Sequence, residues 1–492
     1  MPSIETVLFA ISILLIVSVI SSKLSAKLSL PALSLFLGIG MIAGSEGFGG
    51  IHFDDYQFAQ SLGVVALIFI LFSGGLDTSF AKIRPVILRG ILLSTVGVLI
   101  TVLVVAGAVL TLLDFSPVEA FLVGSIVAAT DAAAVFSILG TQKIALKGNT
   151  IPLLELESGS NDPMAIFLTI ATIEIIQYPE TPLFSLLLIF IQQMVIALIL
   201  GSVIGYFSSK IINRLRLQAD GLYPVFTSAF VLFTFGATAL LGGSGFLAVY
   251  ILGLVMANQN FVHKNSLVNF HDGLSWLMQI IMFLSLGLLV FPSQLPPIAL
   301  EATIIAVILI FVGRPLGVFI VLMFSQFDFH DKLMISWVGL RGATPIVLAI
   351  FPVLAGISGS DIIFNIVFFV VLISVTLQGS TLITVAKFLG ITIPYKQAVQ
   401  HPFELRDNND LRNELVEITI SKGSPAIDKQ IVNIGLPESS LIVLISRNQN
   451  ILVPNGNTII EADDILLVLA DKTALKGIHD AIDENKPIPN LT

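Results

Sequence analysis

No cysteine occurs anywhere in the chain, so it holds no disulfide, no thiolate metal site and no cysteine nucleophile. Charge is scarce as well. Charged residues occupy 12% of the 492 positions, against roughly 25% in soluble domains, while 55% are hydrophobic. A chain of that make-up is an integral membrane protein. The charge that is present sums to −9, which excludes an extended nucleic-acid surface. No Lys or Arg precedes the first apolar run, Thr6 to Ile20, so the run lacks the basic start of a secretory leader and is expected to stay as a first helix. The glycine-rich pieces at 242–245 and 74–75 follow no soluble strand, which argues against a phosphate-cradling fingerprint. A filter loop of repeated carbonyls, the mark of a cation channel, is not found either.

What is present is a succession of long apolar runs from residue 4 to residue 389. Divided at lengths that cross a bilayer, they make about thirteen spans. Lys23, Lys27, Lys82, Arg84, Lys143, Lys210 and Lys264 fall at alternate connections. The connections between them carry Glu46, Asp54, Asp114, Glu119 and Asp361 and no Lys or Arg. The positive-inside rule then places the first set in the cytoplasm, the N-terminus outside, and everything after Phe388 inside. An odd number of spans agrees with that orientation. Polarity rises after Pro394. The expected division is a transmembrane domain over 1–392, a hydrophilic linker over 393–412 and a small α+β cytoplasmic domain over 413–486. The last carries strands near 415–420, 441–445 and 465–469 and helices near 426–434 and 473–482.

Three polar stretches interrupt the apolar runs. Glu157-Ser158-Gly159-Ser160-Asn161-Asp162-Pro163 lies in the middle of the run 150–177. A carboxylate at the bilayer centre costs at least ~2.5–3.5 kcal/mol and marks a functional site by default. On a helix Ser158 and Asp162 share one face, and Glu157 and Asn161 the next. Pro163 cannot donate to the Gly159 carbonyl. Oxygens of this kind suit a hard cation, or a proton competing with it. Thr130-Asp131 in the fifth span and Gly339-Leu340-Arg341-Gly342-Ala343-Thr344-Pro345 in the twelfth mark two broken helices, one in each half. That is the pattern of inverted-repeat transporters with a mid-membrane site. Arg341 keeps its proton and needs an anionic neighbour, for which Glu157 is the expected structural partner. Arg314 reads as a cation bonded to carbonyls or answering Asp131. Asp162 remains to exchange a proton for a cation, with Asn161 supplying an amide oxygen without charge. One exchanging carboxylate implies electroneutral exchange.

Through these motifs, residues 1–390 resemble the NhaP-type cation/proton antiporters. Residues 410–485 resemble the TrkA C-terminal domain, RCK_C, through Glu414-Leu415-Val416-Glu417 and Asn455-Gly456-Asn457. Together they look like the potassium/proton branch. The resemblance implies an all-α polytopic fold with a small cytoplasmic domain, and a homodimer in the bacterial inner membrane. It implies secondary active antiport of K+ or Na+ against H+ with no catalytic residues. It also implies monovalent cation coordination by Asp162, Ser158, Asp131 and Thr130, a Glu157–Arg341 pair, and cyclic di-AMP as a ligand some relatives bind at the C-terminal domain. Ser73 departs from the pattern, since many relatives have an acidic residue there. A Na+/H+ antiporter and a cation channel or uptake subunit are the alternatives.

Overall fold

The computed structural model describes residues 3–28, 31–142, 144–215, 217–394, 413–421, 423–437, 439–447 and 450–471, together with 474, 477, 478 and 482. It divides into two compact units, residues 1–395 and 396–492. The expected linker lies outside the described residues from 395 onward, as does most of the helix expected at 473–482.

The first unit is helical. Along the chain run α1 (Ile4–Leu28), α2 (Ala32–Ala43), α3 (Tyr56–Asp77), α4 (Phe80–Ile83), α5 (Ile87–Leu92), α6 (Val98–Leu112), α7 (Pro117–Val127), α8 (Ala132–Thr141), α9 (Thr150–Gln177), α10 (Leu183–Arg214), α11 (Leu222–Leu240), α12 (Gly245–Ala257), α13 (Lys264–Leu288), α14 (Ala299–Ile308), α15 (Arg314–Val321), α16 (Phe329–Trp337), α17 (Ala343–Leu354) and α18 (Ser360–Phe388). Among the described residues eight stretches are long and apolar enough to cross a membrane, and α2, α7, α12 and α17 are shorter apolar helices. α9 has the length, but Glu155, Glu157 and Asp162 interrupt its apolar character.

The helices form as they do because no water is available to their backbones. α1 and α10 expose Phe9, Ile16, Leu187 and Leu198, the all-round apolar surface of a lipid-facing helix. Buried hydroxyls bond carbonyls one turn back on their own helix, as Thr172 does to Leu168 at 2.6 Å and Thr234 to Phe230 at 2.7 Å. Where helices touch most closely, side chains are absent. A Cβ on Gly40 or Gly287 would enter the backbone of the facing helix, so α2 and α13 meet main chain to main chain. Two short π turns, Leu93–Gly97 and Leu309–Gly313, join α5 to α6 and α14 to α15. A two-stranded antiparallel ribbon pairs β1 (Ile144–Leu146), in the α8–α9 connection, with β2 (Thr392–Pro394), just beyond α18. Lys147 extends it, its N–H donating to the Ile391 carbonyl at 2.9 Å and its Nζ to the Gly390 carbonyl at 3.0 Å.

The second unit contains an antiparallel sheet of β3 (Asn413–Thr419), β4 (Ser440–Arg447), β5 (Asn450–Leu452) and β6 (Ile465–Asp471), in the order β3-β6-β4-β5. Its core is Ile418, Ile420, Ile445, Leu466, Val468 and Ile478 with their neighbours. The helix expected at 426–434 does not form. Only a 3-10 turn, Ile431–Asn433, occurs there. The N–H groups of Asp428, Ile431 and Val432 donate to the carbonyls of Ile460, Thr458 and Gly456, so that stretch spends its donors across the chain instead of along a helix. Arg447 closes the far end. Its Nε and Nη2 donate to the buried Asp464 at 2.9 and 2.8 Å, and Nη1 pairs with Glu461. The Asp464 hydrogen bonds hold the Arg447 guanidinium above the ordinary arginine pKa.

Candidate functional site

The site is built where two helices break and a third lies against the breaks. α7 ends at Val127 and α8 begins at Ala132; α16 ends at Trp337 and α17 begins at Ala343. Asp131 caps α8, its Oδ1 accepting from the Ala134 N–H at 3.2 Å. Pro345 falls in the first turn of α17, where a helix has no backbone partner to lose. The two breaks are joined directly. The Asp131 N–H donates to the Leu340 carbonyl at 2.7 Å, and the Asp131 side chain occupies the space a Cβ on Gly342 would need.

α9 supplies the rest. Ser158 Oγ donates to the Thr130 carbonyl at 3.1 Å and accepts from the Ala132 N–H at 3.1 Å. Asn161 Nδ2 donates to Thr130 Oγ1, and Thr344 Oγ1 donates to Asp162 Oδ2 at 3.0 Å. Asp162 Oδ1 and Asn161 Oδ1 are buried without a partner among the described residues. Thr130, Asp131, Ser158, Asn161 and Asp162 are thus gathered at one place, with Thr344 added to them. A cavity of about 310 Å³ is lined by Asp131, Ser158, Asp162 and Thr344, and also by Glu155, Asp77 and Asp272. Asp77 and Asp272 are exposed, whereas Asp162 is 8% exposed, so the cavity leads from solvent to a buried carboxylate. Ser73, buried, is part of its wall, and the Tyr250 ring packs on Gly159 beside it. Such a pocket offers carboxylate and hydroxyl oxygens to a small cation and holds a group able to carry a proton in its stead.

The expected Glu157–Arg341 pair is not what forms. Glu157, fully buried, is held by Arg314 in a two-pronged pair: Nη2 donates to Oε2 at 2.8 Å and Nη1 reaches Oε1. Arg314 Nη2 also donates to the Ile335 carbonyl at 3.2 Å. Arg341 donates instead to the Ala129 carbonyl at 2.9 Å and to that of Ala128, and has no ion pair among the described residues. The two arginines exchange the roles read from the sequence, for a physical reason. α7 ends at the break and leaves carbonyls without helical partners, a partial negative charge that a guanidinium satisfies without a carboxylate. Counting formal charges overlooks that acceptor.

Residues 11–388 match the sodium/hydrogen exchanger transmembrane family model. The chain belongs to the sodium/hydrogen exchanger family. Residues 415–482 match the TrkA-C domain, so the exchanger unit is followed by the sheet-containing unit. The K(+)/H(+) antiporter NhaP2 of Shewanella baltica is 38% identical over 483 residues, covering 97% of this chain and 83% of that protein. The K(+)/H(+) antiporter NhaP of Alkalimonas amylolytica is 37% identical over 474 residues, covering 95% of this chain and 82% of that one. Among solved structures, the sodium proton antiporter MjNhaP1 of Methanocaldococcus jannaschii superposes with a TM-score of 0.67 at 26% identity, over 77% of this chain and all of the other. In this member of the exchanger family the matched region contains both breaks, all of α9 and the cavity.

Proposed function

We propose that the chain exchanges K+ for H+ across the bacterial inner membrane, by alternating access, with the two ions competing for Asp162. The observation that carries this reading is the buried Asp162 carboxylate at the end of a solvent-reached cavity, one oxygen bonded to Thr344 and the other without a partner among the described residues. The cation is expected to sit among Asp162, Ser158, Asp131 and the Thr130 carbonyl, with Asn161 holding Thr130 through its amide. K+ is preferred over Na+ because the relatives similar over nearly the whole chain carry that name. The eight apolar stretches, with α2, α7–α8, α9, α12 and α16–α17, are read as thirteen passes, and the paired breaks and paired π turns as two inverted repeats. In the orientation set by the basic connections, Asp77 and Asp272 face the cytoplasm. The protein is expected to work as a homodimer. Purified protein in liposomes carrying a pH dye, given each cation in turn, tests the reading; failure of both K+ and Na+ to move protons would overturn it.

One exchanging carboxylate means one cation for one proton. The exchange rate is therefore expected to stay constant when a membrane potential of either sign is imposed with an ionophore. A rate that follows the potential would mean that Asp131 cycles a proton as well.

The TrkA-C unit is expected to modulate exchange without taking part in it. Its differential affinity for a ligand can shift the exchanger by ~1–3 kcal/mol at most ordinary couplings. A chain ending before Pro402 should still exchange, with a changed rate or activating pH, and should lose any response to cyclic di-AMP that the full chain has. Complete loss of exchange by a truncated protein that is still folded would rule out a separable regulator.

A further inference from the structure

α18 carries two polar residues one helical turn apart, Ser374 and Gln378, and both are fully buried. Burying them within a membrane helix is unfavourable unless each is bonded. Their partners lie outside α18, at the break between α16 and α17. The Arg341 N–H donates to Ser374 Oγ at 3.0 Å; Ser374 Oγ donates to Gln378 Oε1 at 2.6 Å; Gln378 Nε2 donates to the Trp337 carbonyl at 2.8 Å. This relay takes up one donor and one acceptor that the break releases, at its two ends. Between those ends, the Leu340 N–H bonds the Val338 carbonyl and the Leu340 carbonyl takes the Asp131 N–H. The break is therefore held at residue 337 and residue 341 by α18, and in its middle by the neighbouring break that carries Thr130 and Asp131.

We propose that Ser374 and Gln378 are positioning residues for the cation site. Neither lines the cavity. They fix the path of residues 337–341, which sets where the Leu340 carbonyl and the Arg341 guanidinium lie. Those two groups anchor Asp131 through its N–H and residues 128–129 through their carbonyls. Thr344, which bonds Asp162, follows three residues after Arg341 on the same segment. Loss of the relay thus displaces donors on both sides of the ion without removing any of them. The proposal rests on the reading of cation–proton exchange at Asp162.

The test uses the full chain in liposomes, with K+ and Na+ concentration series at several pH values. Ser374→Ala and Gln378→Leu are each expected to raise the half-saturating cation concentration ~10-fold and to move the pH profile, the scale seen when groups behind ion ligands are removed, with the amount of folded protein unchanged. Ser374→Thr keeps the hydroxyl and is expected to restore both. The double variant should be no worse than Gln378→Leu, because one relay is lost in each. Half-saturation and pH profile unchanged in folded Ser374→Ala would overturn the proposal, as would a Ser374→Thr protein that behaves like Ser374→Ala. If Gln378→Leu does not accumulate, Ser374→Ala, which removes a single hydroxyl, decides alone. Absence of exchange by the unmodified chain in the same vesicles overturns the functional reading and this proposal with it, whereas exchange with unaltered variants overturns the proposal only.

Discussion

Asp162→Asn is expected to bring cation-driven proton movement down to the level of vesicles without protein, while folding is retained. The amide has the same shape, and its oxygen can still accept from Thr344 Oγ1. It carries no charge to hold a cation and no proton to release at physiological pH. Both halves of the cycle end with one change, so no residual slow exchange is expected. The measurement is the pH-dye assay, with size-exclusion behaviour as the check on folding. Exchange that survives for either cation would remove Asp162 from the mechanism. The unmodified protein has its own signature of competition. Lowering the pH should raise the half-saturating cation concentration while leaving the maximal rate reachable at high cation, because proton and cation contend for the same oxygens.

The second large effect concerns stability. Glu157 and Arg314 are a buried pair, 0% and 4% exposed. Removing one partner strands the other charge, at a cost of ~3–5 kcal/mol. Glu157→Gln and Arg314→Met should each lower the thermal unfolding temperature of detergent-solubilised protein markedly, and the double variant should recover part of the loss. Neutral replacement of both is often tolerated because the desolvation penalty is removed with the attraction. The same cycle with Arg341→Met in place of Arg314→Met should show a smaller coupling, since the hydrogen bonds of Arg341 go to the carbonyls of Ala128 and Ala129. Equal coupling in the two cycles would contradict the pairing seen here.

Much of the site is legible without coordinates because intramembrane polarity is costly and therefore sparse. The stretch 157–163, Thr130-Asp131 and Gly339 to Pro345 stand out against apolar surroundings, and they do converge. What cannot be read is which acceptor each cation finds. Glu157 and Asp162 lie on one helix and point to different neighbours, and the sequence ranks Arg341 and Arg314 by formal charge alone. Thr344 is within a motif picked out for its glycine and proline, yet its hydroxyl proves to be the group that touches Asp162. Glu155 and Asp272 join the cavity through the packing of α9, α3 and α13, which no local pattern encodes. In the second unit, strands declare themselves by alternation, whereas the segment 426–434 has helical composition and bonds sideways to 456–460.

The β1–β2 ribbon has a mechanical meaning. The chain leaves for the second unit directly after β2, and β2 is pinned to β1 between α8 and α9. The end of α18 is therefore tied to the connection between α8, which Asp131 caps, and α9, which contains Asp162. α9 is a continuous rod, and Asp162 stands about 18 Å along it from Thr150 at 1.5 Å per residue. A tilt of about 3° at its base would displace the carboxylate by about 1 Å, the distance at which misplacement begins to cost two orders of magnitude in rate.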